Sequence, residues 1–519
     1  MAKISTKSWP KKSWEKPAPR PEYVEKSFTP SPMQQDFFSW VQEGSGSAIL
    51  EAVAGSGKTT TLIHATKLMK GSVFFGAFNK AIAEEIAHKT ASNPLVTAST
   101  LHSAGYSIWK SHVGKCKVDS WKVTNIFREL FTEEKEQEFL YAVKDLVSFA
   151  KQAATSLSGL NDASTWEQLC GDFIDRYSIA VPDNQDELAI EMSREVLLKS
   201  NSVKDVVDFD DMIYFPVLHG IRSVTQYDWV LIDEAQDTNY SRRKLSLLLL
   251  KSGGRLVAVG DRHQAIYGFT GANSDALDLI RQEVKAITLP LTVTYRCPYS
   301  VVEEARRYVG HITAYEANPV GQVRHLEQKD LFSSTSAGDA ILCRVNAPLV
   351  ELVYKFIAKG IGAKVEGREI GTNLKTLLKK VPDFSSFRSF FHGLEVWGDK
   401  EVEKLTSKGH FVKARNLEDK LYCLNIIANR ADSLNHNSGS PKEDILREID
   451  NLFGDNLSGV VILSSIHKAK GREWKNVYYL TTPTRKNLQD WELEQERNLA
   501  YVAITRSMAN LYFVEYEGK

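Results

Sequence analysis

The residues best equipped for chemistry start at Ala54-Gly55-Ser56-Gly57-Lys58-Thr59, preceded by the apolar run Ser47 to Glu51 and followed by a helical stretch to Met69. Strand, glycine-rich turn and helix in that order form the setting of a phosphate-binding loop. Glycines let backbone N–H groups approach an anion, and the helix start adds the positive end of its dipole. Lys58 is then placed to reach β- and γ-phosphate oxygens, and the Thr59 hydroxyl to hold Mg²⁺. The generic pattern has glycine at position 52, where this chain has Ala52. A second apolar run, Trp229 to Ile232, ends in Asp233 and Glu234, 175 positions after Lys58. Acids at the carboxyl edge of a sheet suit a metal ligand (Asp233) and a residue that orients or deprotonates water (Glu234). Together the two segments predict nucleotide hydrolysis. A third run, Leu256 to Val259, leads into Asp261, Gln264, Tyr267 and Phe269, and such a strand end would join a nucleotide site to a base-stacking surface.

These residues need a scaffold that brings distant strand ends together. From Phe28 to about Gly105 the pattern alternates β-rich runs (Ala48 to Glu51, Val73 to Phe78, Val96 to Thr100) with helical stretches, which predicts a parallel sheet. Residues 106–204 show helical spacing, as in Phe139, Val143, Leu146, Val147 and Ala150, and read as an insertion. Strand runs return at Trp229 to Asp233 and Arg255 to Asp261, so the first α/β domain is assigned to 28–105 and 205–290. A second set, Val323 to Glu327, Ala340 to Val345, Val460 to Ile466, Val477 to Thr481 and Leu511 to Tyr516, defines another α/β domain over 291–370 and 457–519, interrupted by a short helical insertion at 371–456. The expected fold is α/β, with two doubly wound parallel sheets, each carrying a mainly helical insertion. Residues 1–27 hold seven Lys/Arg, three Glu and four prolines, and read as a basic tail.

Composition narrows the function. Lys+Arg and Asp+Glu are both 65, so wholesale polybasic coating of nucleic acid is excluded and any contact with it needs a local groove. The five cysteines lie at least 46 positions apart, without the close pairs of a zinc or iron–sulfur site. No apolar run approaches the roughly 20 residues needed to span a bilayer, and no apolar signal core opens the chain. The expected location is the cytoplasm, or the nucleus of a eukaryote, without a membrane partner or secretion.

The loop with its Ala52, the segment Asp233-Glu234-Ala235-Gln236-Asp237 and the stretch Gly260 to Ala272 resemble the superfamily 1 helicases of the UvrD/Rep type, where alanine is usual at position 52. The likeness continues in order through Pro32-Met33-Gln34-Gln35, Ala77-Phe78-Asn79-Lys80, Ser99-Thr100-Leu101-His102-Ser103 and Asp208-Phe209-Asp210-Asp211-Met212. It extends to Tyr295-Arg296-Cys297-Pro298, Leu342-Cys343-Arg344-Val345-Asn346, Ser465 to Trp474 and Glu496 to Arg506, the last two most similar to the F-box DNA helicase branch. The clustered acids at 208–211 are expected to start a helix or to pack rather than to bind metal.

The resemblance implies two RecA-like domains closing on ATP and Mg²⁺. It assigns ATP binding to Gln34, Ala54, Gly55, Ser56, Gly57, Lys58, Thr59, Thr60, Tyr295 and Glu473, with Gln34 reading adenine, Tyr295 stacking on it and Glu473 at the ribose. It assigns Mg²⁺ to Thr59 and Asp233, and catalysis to Lys58, Glu234, Gln264, Arg296 and Arg506, the two arginines reaching the γ-phosphate from the second domain. DNA contact falls to Phe78, Asn79, Thr100, His102, Tyr267, Phe269, Arg344 and His467. The implied activity is 3′-to-5′ movement along single-stranded DNA with opening of single-strand/duplex junctions, in company with replication or recombination proteins. Two alternatives stay open: a translocase that strips proteins from single strands and unwinds weakly, and a nucleotide-gated DNA-binding scaffold. The short second insertion and a chain that ends 13 residues after Arg506 imply no nuclease domain and put the autoinhibition and dimer-dependent activation of larger relatives in doubt.

Overall fold

In the computed structural model, the described residues are 28–516 except 178, 180, 183–184, 267–274, 360, 367, 408–410, 435–439, 453–459, 484–487 and 489. The basic tail, Tyr267 and Phe269 therefore lie outside them.

Two six-stranded parallel sheets organise the chain. The first contains β1 (Ala48–Ala52), β2 (Val73–Ala77), β3 (Val96–Thr100), β4 (Tyr227–Ile232), β5 (Leu250–Gly260) and β6 (Ile287–Leu291), in the order β3-β2-β4-β5-β1-β6. Strands β1, β2 and the end of β4 are buried almost throughout, so they read as continuous apolar runs rather than as alternation. The edge strand β6 has no such signature: only Leu291 is buried, and Pro290 sits at an edge where a missing N–H is tolerated. It was not legible as a strand for that reason.

The second sheet contains β7 (Gln322–Leu326), β8 (Ala340–Cys343), β9 (Ala363–Val365), β10 (Val461–Ser465), β11 (Trp474–Thr481) and β12 (Ser507–Glu515), in the order β7-β12-β11-β8-β10-β9. Both sheets are covered by helices on their two faces. Helices account for most of the described residues between Leu101 and Ser202, and for those between Arg368 and Leu452. No helix among the described residues is long and apolar enough to cross a membrane.

The first insertion is tied to its parent domain by a buried ionic network built on the acids at 208–211. Lys151 sits 2.6 Å from Asp208 and 2.7 Å from Asp211, and Lys122 sits 2.7 Å from Asp211, with both lysines almost fully buried. Burial alone would lower the Lys151 ammonium, but the Asp211 and Asp208 carboxylates reverse the sign and raise it. Asp210, bonded to Ser148, is pushed up to about 6 by burial and by the Asp208 charge. Removing one member of such a network leaves a buried charge uncompensated. Lys151→Met is therefore expected to destabilise the protein by about 3–5 kcal/mol, measured as a lower urea midpoint for the unfolding of the first domain. A shift of less than 1 kcal/mol, on the order of a surface pair, would show that the network is not structural.

A candidate nucleotide cleft between two RecA-like domains

The loop after β1 is shaped by two left-handed glycines, Gly55 at φ 72° and Gly57 at φ 77°, before the helix Lys58–Ala65 begins. At Gly55 the requirement is also steric. A Cβ there would lie 2.6 Å from both Thr294 Oγ1 and Arg296 Cβ, so the second-domain segment can approach only bare backbone. The Tyr295 N–H donates to the Gly55 carbonyl at 2.9 Å, and the Ala54 N–H donates to the Tyr501 hydroxyl at 3.1 Å. The loop thus faces the second domain directly, with Val53, Ala54 and Ile266 packed into the core that includes Cys297, Tyr501 and Val502.

Gln34 lies beside this loop and is 2 % exposed. Its carbonyl oxygen accepts from the Ser31 N–H, and its amide donates to Thr61 Oγ1 at 2.8 Å. The Ser56 hydroxyl is buried without a hydrogen-bond partner among the described residues, and Thr60 is exposed on the first turn of the helix. Thr59 Oγ1 donates to Asp233 Oδ2 at 2.6 Å, which brings together two oxygen ligands drawn from distant segments. A small cation that prefers oxygen donors fits there, since it would replace that hydrogen bond.

Burial, and then the adjacent Glu234 charge, push Asp233 up to about 6. Glu234 is also buried, which would raise it, but Lys58 and then Lys470 outweigh burial and hold it below the usual carboxylate range. Its backbone occupies the left-handed region (φ 51°, ψ 44°), a strained conformation for a side chain with a Cβ. That turn directs the chain into Ala235–Asp237, where Gln236 clamps the acid: its amide donates to Glu234 Oε2 at 2.5 Å, and its carbonyl accepts from the Asp261 N–H.

From the second domain, Arg506 is 1 % exposed and donates to Gln264 Oε1 at 3.2 Å. Burial and then the neighbouring Arg296 lower it to about 10, so it remains a cation at neutral pH. Arg296 donates to Glu473 at 2.6 Å and to the Thr505 carbonyl at 3.3 Å. Glu473, expected at the ribose, therefore stands against the arginine. The Tyr295 hydroxyl is buried without a hydrogen-bond partner among the described residues, and its ring lies 5.0 Å from Tyr315.

The expected DNA contacts divide into groups. Phe78, 43 % exposed, and His102 line a narrow pocket whose other walls include Asp233, Glu234, Asp237 and Arg242. Asn79 and Thr100 instead serve as helix N-caps, accepting from the Ile82 and Ser103 N–H groups. In the second domain, Arg344 pairs with Glu496, and His467 follows the end of β10. Burial and nearby cations, Arg242 for His102 and first Arg344 for His467, lower both histidines to about 4. Both are neutral imidazoles at pH 7, able to donate an N–H but not to offer a charge.

Three further residues belong to this region. Phe209, placed in a packing segment by sequence, is 60 % exposed with its ring 6.5 Å from His102. Lys470 donates at 2.6 Å both to Asp237 and to the Gln264 carbonyl, across the domain boundary. Tyr501 caps the loop, as above. Only spatial proximity marks these three; their local sequence carries no distinguishing spacing.

Fold and site together define a two-domain protein with a phosphate-binding-type loop, in which Arg296 and Arg506 of the second α/β domain stand at the boundary beside Gly55 and Gln264 of the first. Residues 33–285 match the UvrD/REP helicase N-terminal domain, and residues 400–518 match the UvrD-like helicase C-terminal domain. The chain belongs to the UvrD/Rep helicase family. It is 26% identical over 324 residues to the ATP-dependent DNA helicase Rep of Buchnera aphidicola subsp. Baizongia pistaciae, covering 57% of this chain and 44% of that one. It is 24% identical over 511 residues to F-box DNA helicase protein 1 of Schizosaccharomyces pombe, covering 89% and 55%. DNA helicase II of Haemophilus influenzae is 24% identical over 297 residues, covering 51% and 38%. The chain thus spans about half the length of the curated relatives it matches.

Proposed function

We propose that this protein is an ATP-driven DNA helicase that moves 3′ to 5′ along single-stranded DNA and separates strands at single-strand/duplex junctions. The observation that carries the reading is the shared cleft: Arg296 and Arg506 of one domain stand beside Gly55 and Gln264 of the other. Neither arginine is needed for a protein that only binds nucleotide.

In this reading Lys58 and the loop N–H groups hold the β- and γ-phosphates, and Gln34 and Tyr295 receive the adenine. Thr59 and Asp233 would hold Mg²⁺, which when bound neutralises charge on the phosphate oxygens. Glu234, kept ionised by Lys58 and Lys470, accepts the proton of the attacking water. Arg296 and Arg506 stabilise the charge that spreads over the transferring phosphoryl group. Domain closure then follows nucleotide occupancy, and Lys470, Gln264 and Asp237 transmit it, because they bond across the boundary. The pocket that Phe78 and His102 share with Asp233 and Glu234 supports a strand-binding edge coupled to the acid pair.

Strand separation on duplexes with only a 3′ or only a 5′ tail, with Lys58→Ala as the inactive control, tests the proposal. Unwinding from the 3′ tail is expected. Unwinding from the 5′ tail would refute the polarity, and DNA-stimulated hydrolysis without unwinding would favour the protein-stripping translocase.

Phe209 enters the DNA contact set through its exposure beside His102. Phe209→Ala is expected to weaken single-strand affinity by about 1–3 kcal/mol, the value of one base–aromatic stack, with ATP affinity unchanged. Fluorescence anisotropy with a labelled oligonucleotide measures it, and an unaltered affinity removes Phe209 from the track.

A further inference from the structure

The segment that bears Tyr295 and Arg296 is shadowed by a second stretch of chain to which the roles above assign nothing. Val293–Thr294 and Thr313–Ala314 form a two-stranded parallel ladder outside both six-stranded sheets. The Thr313 N–H donates to the Thr292 carbonyl at 2.9 Å, and the Tyr315 N–H to the Thr294 carbonyl at 3.0 Å. Past Asn318 the donors change sides: the N–H groups of Tyr299 and Ser300 donate to the Pro319 and Val320 carbonyls at 3.0 and 2.9 Å. In between, the Asn318 N–H closes a turn onto the Tyr315 carbonyl. An Asn–Pro pair suits that turn, because the proline ring holds the residue before it extended. Ile312 anchors the stretch, buried in the same core as Cys297.

Two side chains of this turn reach the bend itself. The Asn318 amide donates to the Thr294 carbonyl at 2.8 Å and to the Cys297 carbonyl at 2.9 Å, so it brackets Tyr295 and Arg296. Both protons of one planar NH₂ group are used, which fixes the spacing of the two carbonyls. From inside the bend, the Thr294 hydroxyl accepts from the Arg296 and Cys297 N–H groups at 3.4 Å each. The Tyr315 ring lies 5.0 Å from that of Tyr295 at an interplanar angle of 45°. The bend in turn presses on the phosphate loop, since Thr294 Oγ1 and Arg296 Cβ are the atoms that a Cβ at Gly55 would meet. Its shape therefore decides how Tyr295 and Arg296 stand toward that loop.

We propose that Asn318 is a positioning residue for ATP hydrolysis: its amide splints the Thr294-to-Cys297 bend and so sets Arg296 for the γ-phosphate, while the Tyr315 ring backs Tyr295 for the base. The inference rests on the nucleotide reading proposed above. Asn318 and Tyr315 act through Arg296 and Tyr295, and the two effects are separable because one concerns the transferring phosphoryl group and the other the bound base. An amide that merely satisfied two carbonyls would instead lower stability and leave the chemistry of the folded protein as it is.

A double-mutant cycle with Arg296 tests the proposal. Asn318→Ala is expected to lower kcat about 10²-fold in the parent protein, the cost of an ångström-scale misplacement. In Arg296→Ala the same change should cost less than about twofold, because the group it positions is gone. Single-turnover phosphate release measures the four proteins, at a temperature where thermal melting shows each of them folded. Asn318→Asp keeps the size but has no donor at neutral pH, and it should fall with Asn318→Ala. Tyr315→Ala should instead raise KM for ATP about two- to tenfold at nearly constant kcat, the worth of one aromatic pair, and Tyr315→Phe should restore it. Equal losses from Asn318→Ala in both backgrounds, or a parent-like rate in Asn318→Asp, overturn the positioning role; an unchanged KM in Tyr315→Ala removes the ring contact from it. Parent-like turnover in Arg296→Ala refutes the reading of the cleft and the splint with it, whereas a loss in Arg296→Ala that Asn318→Ala does not share refutes the splint alone.

Discussion

Replacing Arg296 with alanine should lower ATP turnover by about 10³-fold or more, the scale on which an arginine presented to a transferring phosphoryl group contributes. The reason lies in where the side chain stands. Its Cβ approaches Gly55 so closely that any other residue there would clash, while its guanidinium extends to Glu473 and the Thr505 carbonyl. The Glu473 carboxylate engages the arginine, and a triphosphate would offer it a more strongly charged anion. An effect confined to the transition state lowers kcat and kcat/KM together and leaves KM nearly constant. Arg296→Lys keeps the charge but loses the planar fork, so it should recover only part of the rate. Steady-state turnover with saturating single-stranded DNA decides the point. A rise in KM at constant kcat would make Arg296 a ground-state binding residue instead.

Glu234→Gln is expected to reduce turnover by about 10²- to 10⁴-fold, the range for loss of a general base, with ATP binding retained. The amide has the size of the carboxylate, so the strained turn at Glu234 is kept, and its carbonyl can still accept from Gln236. What disappears is the negative charge that Lys58 and Lys470 hold in place. Binding of a fluorescent ATP analogue together with single-turnover phosphate release separates the two effects. Undiminished phosphate release would move the proton acceptor elsewhere, and Asp237, buried and bonded to Lys470, would be the next candidate.

Much of the site was legible because its chemistry is local. A strand, two left-handed glycines, a lysine and a threonine must be contiguous to hold a phosphate, so Gly55 to Thr59 is recognisable within six residues. Asp233 and Glu234 likewise follow a buried strand whose apolar run is unbroken. The central strands were readable for the same reason, since both of their faces are covered. The edge strand β6 and the three-residue β9 were not, because an edge strand needs no continuous apolar run and three residues set no periodicity.

The sequence by itself determined the loop, the acid pair, the two interrupted α/β domains and the order of the arginine-bearing segments. All of these rest on interactions within a few residues or on the burial of whole strands. Only the tertiary structure decided which groups meet across the boundary: Tyr501 on the Ala54 amide, Lys470 between Asp237 and Gln264, and Glu473 against Arg296. It also turned Phe209 outward beside His102 while burying its neighbour Asp211 against Lys122 and Lys151. Such partners are hundreds of residues apart in some cases, and a hydroxyl or an ammonium has the same local appearance whether its partner is water or a catalytic loop. Packing of the two domains selects that partner, and packing is a property of the folded chain.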